Sequence, residues 1–182
     1  MFCGDRLGRL ILHLHTDRFS PRSRAWAGFL TSQPGLALVK SSLAHCEGLN
    51  SLYIQHIATD CLLRLVADTC TRLTILDISF SRQVTDLGLV QLCGPLVGAA
   101  SDSPPPRGCK YLRELYFNPQ NQPADRQIRP QVIACLLRHL DMLQVRLSWV
   151  ADPRLKTLYN NKRITCLDTH DHINTQKVKT QK

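Results

Sequence analysis

The chain of 182 residues has no uninterrupted apolar run of the roughly 20 residues that a membrane-spanning helix needs, so no membrane span is expected. No secretory opening is expected either, since Arg6 and Arg9 precede only a few apolar residues before His13, His15 and Asp17 break the run. Arg18, Ser20, Arg22, Ser23 and Arg24 have the flavour of an organelle transit peptide, but Asp5 and Asp17 oppose it, and a solvated extension is expected instead. No Cys-x-x-Cys pair exists, which removes the usual zinc knuckle. There is no phosphate loop, no Gly-x-Ser-x-Gly elbow and no paired-carboxylate pattern, so no catalytic activity and no cofactor are expected.

Acidic residues are the scarcer charge, 14 against 23 basic, for a formal net charge of +9. The excess is uneven. Residues 1–24 carry five Arg against Asp5 and Asp17, a net +3, and residues 154–182 carry seven Lys or Arg against Asp168 and Asp171, a net +5. A nucleic-acid-binding domain concentrates charge on a folded face, whereas here the middle is nearly neutral. Basic ends such as Lys162, Arg163, Lys177, Lys179 and Lys182 near Tyr159 can touch RNA weakly, and that is the alternative binding reading.

Against these absences stands a repeat. Three segments align without gaps: Cys46-Glu-Gly-Leu49-Asn-Ser-Leu52-Tyr-Ile54, Cys70-Thr-Arg-Leu73-Thr-Ile-Leu76-Asp-Ile78 and Cys109-Lys-Tyr-Leu112-Arg-Glu-Leu115-Tyr-Phe117. Each reads Cys-x-x-Leu-x-x-Leu-x-(Ile or Phe), and the first two cysteines are 24 residues apart. A weaker copy runs Leu137, Leu140, Leu143, Val145, with Leu in the Cys place, and a still weaker one Leu7, Leu10, Leu12. Between the strands, Thr59-Asp60 and Thr85-Asp86 are helix caps whose oxygens can accept from first-turn amides, and Pro130 can open a third helix through Val132, Ile133, Leu136 and Leu137. The third unit is stretched to 39 residues by Gly94–Gly108, which contains Ser101-Asp-Ser-Pro-Pro-Pro106 and is expected to be a flexible surface excursion.

The pattern, with Val84-Thr-Asp-Leu-Gly-Leu89, resembles the cysteine-containing leucine-rich repeats of F-box/LRR substrate receptors and of the antagonist-of-mitotic-exit-network family, over about residues 43–145. That resemblance implies an α/β fold: a short solenoid of about three to five repeats, with parallel strands on the concave side and helices on the convex side. The expected organisation is an N-terminal extension at 1–34 that includes at most one degenerate repeat, a repeat domain at 35–150 with the insertion at 94–108, and a basic, disordered tail at 151–182. Ile57 and Ser81 depart from the family's loop Cys or Asn, so the ladder tying neighbouring loops is expected to be impaired. Residues 146–153 are expected to cap the array poorly.

Strand alternation sends Leu52 and Ile54 inward and leaves the triplets Ser51, Tyr53, Gln55; Ile75, Asp77, Ser79; and Glu114, Tyr116, Asn118 on the outer face as the candidate partner-binding surface, with Met142, Gln144 and Arg146 continuing it. Tyrosines among mixed polar groups suit a protein partner. The resemblance implies a noncatalytic adaptor that recruits a substrate to a cullin-type, SCF-like ubiquitin ligase, inside the cell in cytoplasm or nucleus. Residues 1–34 lack an F-box's Leu-Pro opening and leucine pattern, so a generic scaffold or a truncated receptor fragment is the alternative.

Cys46, Cys61, Cys70, Cys93, Cys109 and Cys135 lie among apolar residues and are read as reduced and buried. His45 adjoins Cys46, and Cys135 and His139 share a helix face at four-residue spacing, but neither pair is read as catalytic. His13-Leu-His15 and His170-Asp-His172 with Cys166 are unspecific, and no metal is assigned.

Overall fold

The computed structural model describes residues 8–11, 28–29, 32–44, 46, 48–94, 107–117, 128–148 and 161–167. Strands β1 (Arg9–Ile11), β2 (Ser51–Tyr53), β3 (Ile75–Asp77), β4 (Glu114–Phe117), β5 (Gln144–Ser148) and β6 (Ile164–Leu167) form one sheet in sequence order. Every pairing is parallel. The helices are α1 (Gln33–Ala44), α2 (Asp60–Thr69), α3 (Asp86–Gln91) and α4 (Pro130–His139). The class is α/β, and each helix packs beside the next in chain order. Among the described residues no helix is long and apolar enough to cross a membrane.

The sheet is this regular because the same residue types recur at the same places. Leu52, Leu76, Leu115 and Val145 lie opposite one another on successive strands, and each is essentially buried. Phe117 faces Leu147 one pleat further on, and Ile54 and Ile78 bind by their amides to Asp77 O and Tyr116 O of the following strand. Behind them Leu49, Leu73, Leu112 and Leu143 fill the next layer, joined by Leu63, Val66, Leu89, Leu92, Ile133 and Leu136 from the helices. Each such leucine contributes roughly 1.5–3 kcal/mol on leaving water. Cys46, Cys70 and Cys109 are buried, each opening a tight turn in which Leu49 N, Leu73 N and Leu112 N donate back to the three cysteine carbonyls. A small, weakly polar side chain fits there without a strong unmet hydrogen-bond demand.

Helix starts are stitched to one another. Thr59 and Thr85 are N-caps, accepting from Leu62 N and Leu87 N through their hydroxyls. The next residue, Asp60, reaches the following unit: its carboxylate accepts from Thr85 N at 2.7 Å and from Thr85 Oγ1 at 2.6 Å. Asp86 repeats the arrangement one unit on, accepting from Arg129 N at 2.9 Å and from the Arg129 guanidinium. Gly88 is glycine for this reason, since a Cβ there would stand 2.2 Å from Asp60 Oδ1. Gly94 and Gly108, both at positive φ, bracket 95–106 and touch: a Cβ on Gly108 would meet Gly94 N at 2.5 Å. Residues 95–106 lie outside the described residues.

Four expectations need correction. In the fourth unit the turn is Leu143 N to Leu140 O, so Leu140 takes the cysteine place, Leu143 the first leucine, Val145 the second and Leu147 the last apolar one. The pattern Leu137, Leu140, Leu143, Val145 misses this because the unit is one residue short between Leu143 and Val145, and Leu137 belongs to α4. The tail expected to be disordered contains β6, held because Ile164 is buried and Val145 N donates to Arg163 O. The loop ladder is intact at Ser81, whose Oγ accepts from Ala58 N at 3.1 Å and lies 3.5 Å from Ile54 O. Finally, Cys61 is exposed, while Cys93 and Cys135 are only partly buried.

Candidate functional site

The strand face opposite the leucine core carries two rows of side chains. One runs Arg9, Ser51, Ile75, Glu114, Gln144, and the other Tyr53, Asp77, Tyr116, Arg146, Thr165. Parallel strands are about 4.8 Å apart, so each residue of a row touches the next. Tyr53 and Tyr116 therefore flank Asp77 on either side.

Charge organises the second row. The Arg9 guanidinium sits 4.9 Å from the centre of the Tyr53 ring, and that of Arg146 lies 5.7 Å from the Tyr116 ring. Both distances lie within the range of cation–π attraction. Tyr116 donates its hydroxyl proton to Glu114 Oε2 at 2.5 Å, and Arg146 Nε lies 3.6 Å from the same oxygen. Burial pushes the Tyr53 hydroxyl above its usual pKa of 10.0; Arg9 opposes that, and Asp77 and Glu114 reinforce it. Tyr116 is raised more strongly, first by burial and then by the bond to the Glu114 carboxylate, which an ionised phenol could not donate. Both rings stay neutral donors through the physiological range.

The predicted triplets divide. Tyr53, Ile75, Glu114 and Tyr116 are partly exposed and share one face, with Arg146 beside them. Ser51, Gln55, Asp77 and Ser79 were expected on the open surface, but they are buried, at 9, 4, 4 and 0 % exposure. The cause is mutual shielding. Asp77 is short and lies between two tyrosines, Gln55 Nε2 donates to Asp77 Oδ2 at 2.6 Å, and Ser79 N donates to Asp77 Oδ1 at 2.9 Å. These residues fix the floor of the site and do not present a contact surface. Met142 is exposed in the turn before β5, Gln144 is exposed in register with Glu114, and Asn118 lies outside the described residues.

A scan against protein-family models returns no match, and a search among curated proteins returns none.

Sequence reasoning named Arg146 as continuing the face without assigning it to Tyr116, and it missed Arg9. Arg9 comes from the strand that Leu10 signalled. Of the basic residues named for nucleic-acid contact, Arg163 is committed elsewhere. Its guanidinium donates to Leu143 O at 2.8 Å, to Leu137 O at 2.7 Å and to Leu140 O, closing the end of α4. Tyr159, Lys177, Lys179 and Lys182, like His13, His15, His45, His170 and His172, lie outside the described residues.

A second cluster forms on the helical side. Cys93 follows α3, and Cys135 and His139 sit one turn apart on α4. Their ligand atoms all fall within 4.8 Å of one another. The Cys135–His139 half was readable from helical spacing. The approach of Cys93 depends on packing between helices that are separated in the chain by the 95–106 segment.

Proposed function

We propose that the chain is a leucine-rich-repeat solenoid that binds a protein segment across its strand face, without catalysis. Support for the solenoid comes from the recurrence of one unit: Cys in the turn, two leucines in the core, a cap, and an Asp reaching the next cap, in register along a parallel sheet. The observation that carries the binding reading is the Tyr53–Asp77–Tyr116–Arg146 row, with Arg9 reaching onto the Tyr53 ring from the neighbouring row. Two partly exposed tyrosines flank an Asp77 carboxylate already held by Gln55 Nε2 and Ser79 N, and Tyr116 is tied to Glu114, so the rings lose little freedom on contact. Neutral hydroxyls, two guanidinium groups and the Glu114 carboxylate suit a polypeptide carrying both backbone carbonyls and mixed charge.

The resemblance to F-box/LRR receptors supports a narrower role, recruiting that polypeptide to a cullin-type ubiquitin ligase through an adaptor. This role rests on the repeat pattern alone. The test is affinity capture of the full chain from cells, comparing wild type with the double variant Tyr53→Ala, Tyr116→Ala at equal folded content. Bound proteins lost from the variant identify the strand-face partner, and an adaptor or cullin that remains on both supports the ligase role. Capture that is identical for the two chains overturns the strand-face reading. If no ligase component is captured and turnover of the bound protein is unchanged when the chain is depleted, the ligase role falls and a generic scaffold remains.

A further inference from the structure

Two sulfurs and an imidazole meeting outside the candidate binding face form a chelating set. We propose that Cys93, Cys135 and His139 bind one thiophilic divalent cation, zinc in the first instance, between α3 and α4. The geometry is already close to what zinc requires. With Zn–S of about 2.3 Å and Zn–N of about 2.0–2.1 Å at a tetrahedral centre, S···N should be about 3.5 Å and S···S about 3.8 Å. Cys135 Sγ and His139 Nδ1 are 3.5 Å apart, and all three ligand atoms lie within 4.8 Å. The remaining closure is about 1 Å, within the reach of one cysteine side chain turning on its Cα–Cβ bond.

The site is placed for entry and for consequence. His139 is exposed and both cysteines are partly so, which lets a hydrated ion arrive. Cys135 and His139 are one helical turn apart, as paired ligands on one helix face must be. Cys93 stands beside Gly94, which packs against Gly108, so a bound ion would staple the end of α3, α4 and that glycine contact together. Binding needs both thiols to release their protons and His139 Nδ1 to give up its 2.9 Å contact with Cys135 O. Three protein ligands leave the fourth position for water or for a side chain from a bound partner. Nothing in the strand-face reading depends on this site, or the reverse.

The experiment uses the full chain, reduced and metal-stripped under anaerobic conditions, titrated with Co²⁺ as a spectroscopic stand-in for zinc. The expected result is a sulfur-to-cobalt charge-transfer band with visible tetrahedral bands, saturating at one ion per chain and abolished by added Zn²⁺. Cys93→Ser, Cys135→Ser and His139→Ala should each lose the tetrahedral bands. Cys61→Ser and the pair His170→Ala, His172→Ala should keep them. Tetrahedral bands that survive Cys93→Ser, or that vanish with the His170 and His172 pair, overturn the assignment. As a check that does not depend on any variant folding, Zn²⁺ must raise the Tm of the wild-type chain, and an unchanged Tm at saturating zinc overturns it equally.

Discussion

Substituting Gly88 by alanine separates two physical rules that predict opposite signs. In an isolated helix Gly→Ala stabilises by about 1 kcal/mol, and Gly88 lies inside α3. Here the new Cβ would sit 2.2 Å from Asp60 Oδ1 and 3.1 Å from Asp60 Cα, so the carboxylate must leave and α2 and α3 must part slightly. Asp60 then loses its bonds to Thr85 N and Thr85 Oγ1, each worth roughly 1.5–3 kcal/mol as a hydrogen bond to a charged group. Because Asp60 is only partly buried, water recovers part of that, and the low end applies. A gross loss of about 3–4 kcal/mol less the helix gain leaves a net destabilisation of about 2–3 kcal/mol. Urea denaturation should show it as a lower midpoint at unchanged slope. In an Asp60→Ala background the same change should cost less than about 1 kcal/mol, since only the backbone contact remains to oppose the helix gain. A Gly88→Ala chain as stable as wild type, or more so, would refute the stitched helix starts.

Other consequences can be checked with the same material. Arg163→Ala should destabilise by about 2–3 kcal/mol by freeing the carbonyls of Leu137, Leu140 and Leu143, and Arg163→Lys should recover only part, because one ammonium cannot spread over three acceptors. Ultraviolet titration should show phenol ionisation extending above the ordinary tyrosine range, and Tyr53→Phe and Tyr116→Phe should each reduce that late component. Both hydroxyls hold their protons longer in the folded chain than in the unfolded one. Their contribution to stability is therefore complete below pH 10 and declines as pH rises beyond it, and Phe at both positions should flatten that decline. Thiol labelling of the native chain mapped by mass spectrometry should find Cys61 fast, with Cys46, Cys70 and Cys109 reacting only on unfolding.

What could be read from the residues was set by local chemistry. Cys-x-x-Leu-x-x-Leu located β2, β3 and β4 because its spacing belongs to a turn followed by a strand, and Thr-Asp located the starts of α2 and α3 because capping is local. What failed depended on contacts between units. The fourth unit has no cysteine and one residue fewer, so its leucines slid to the wrong places. The burial of Ser51, Gln55, Asp77 and Ser79 arises from neighbouring strands closing over short side chains, which alternation along one strand cannot reveal. β6 was hidden by the charge around it: Lys162 and Arg163 read as part of a solvated tail, whereas Arg163 turns back onto α4 and brings Ile164 against Val145. Cys93 had no signal at all, because its partners lie 42 and 46 residues along the chain.

The strand face and its site exist only if successive strands stack their leucines in a single row. Methyl-labelled leucine and valine in the native chain, observed by NMR, test it directly. The prediction is an unbroken series of methyl–methyl contacts from Leu52 to Leu76, Leu76 to Leu115 and Leu115 to Val145, as adjacent parallel strands require. A series that skips Leu76, or that joins Leu52 to Leu115 directly, would contradict the order of the strands and the site built on them.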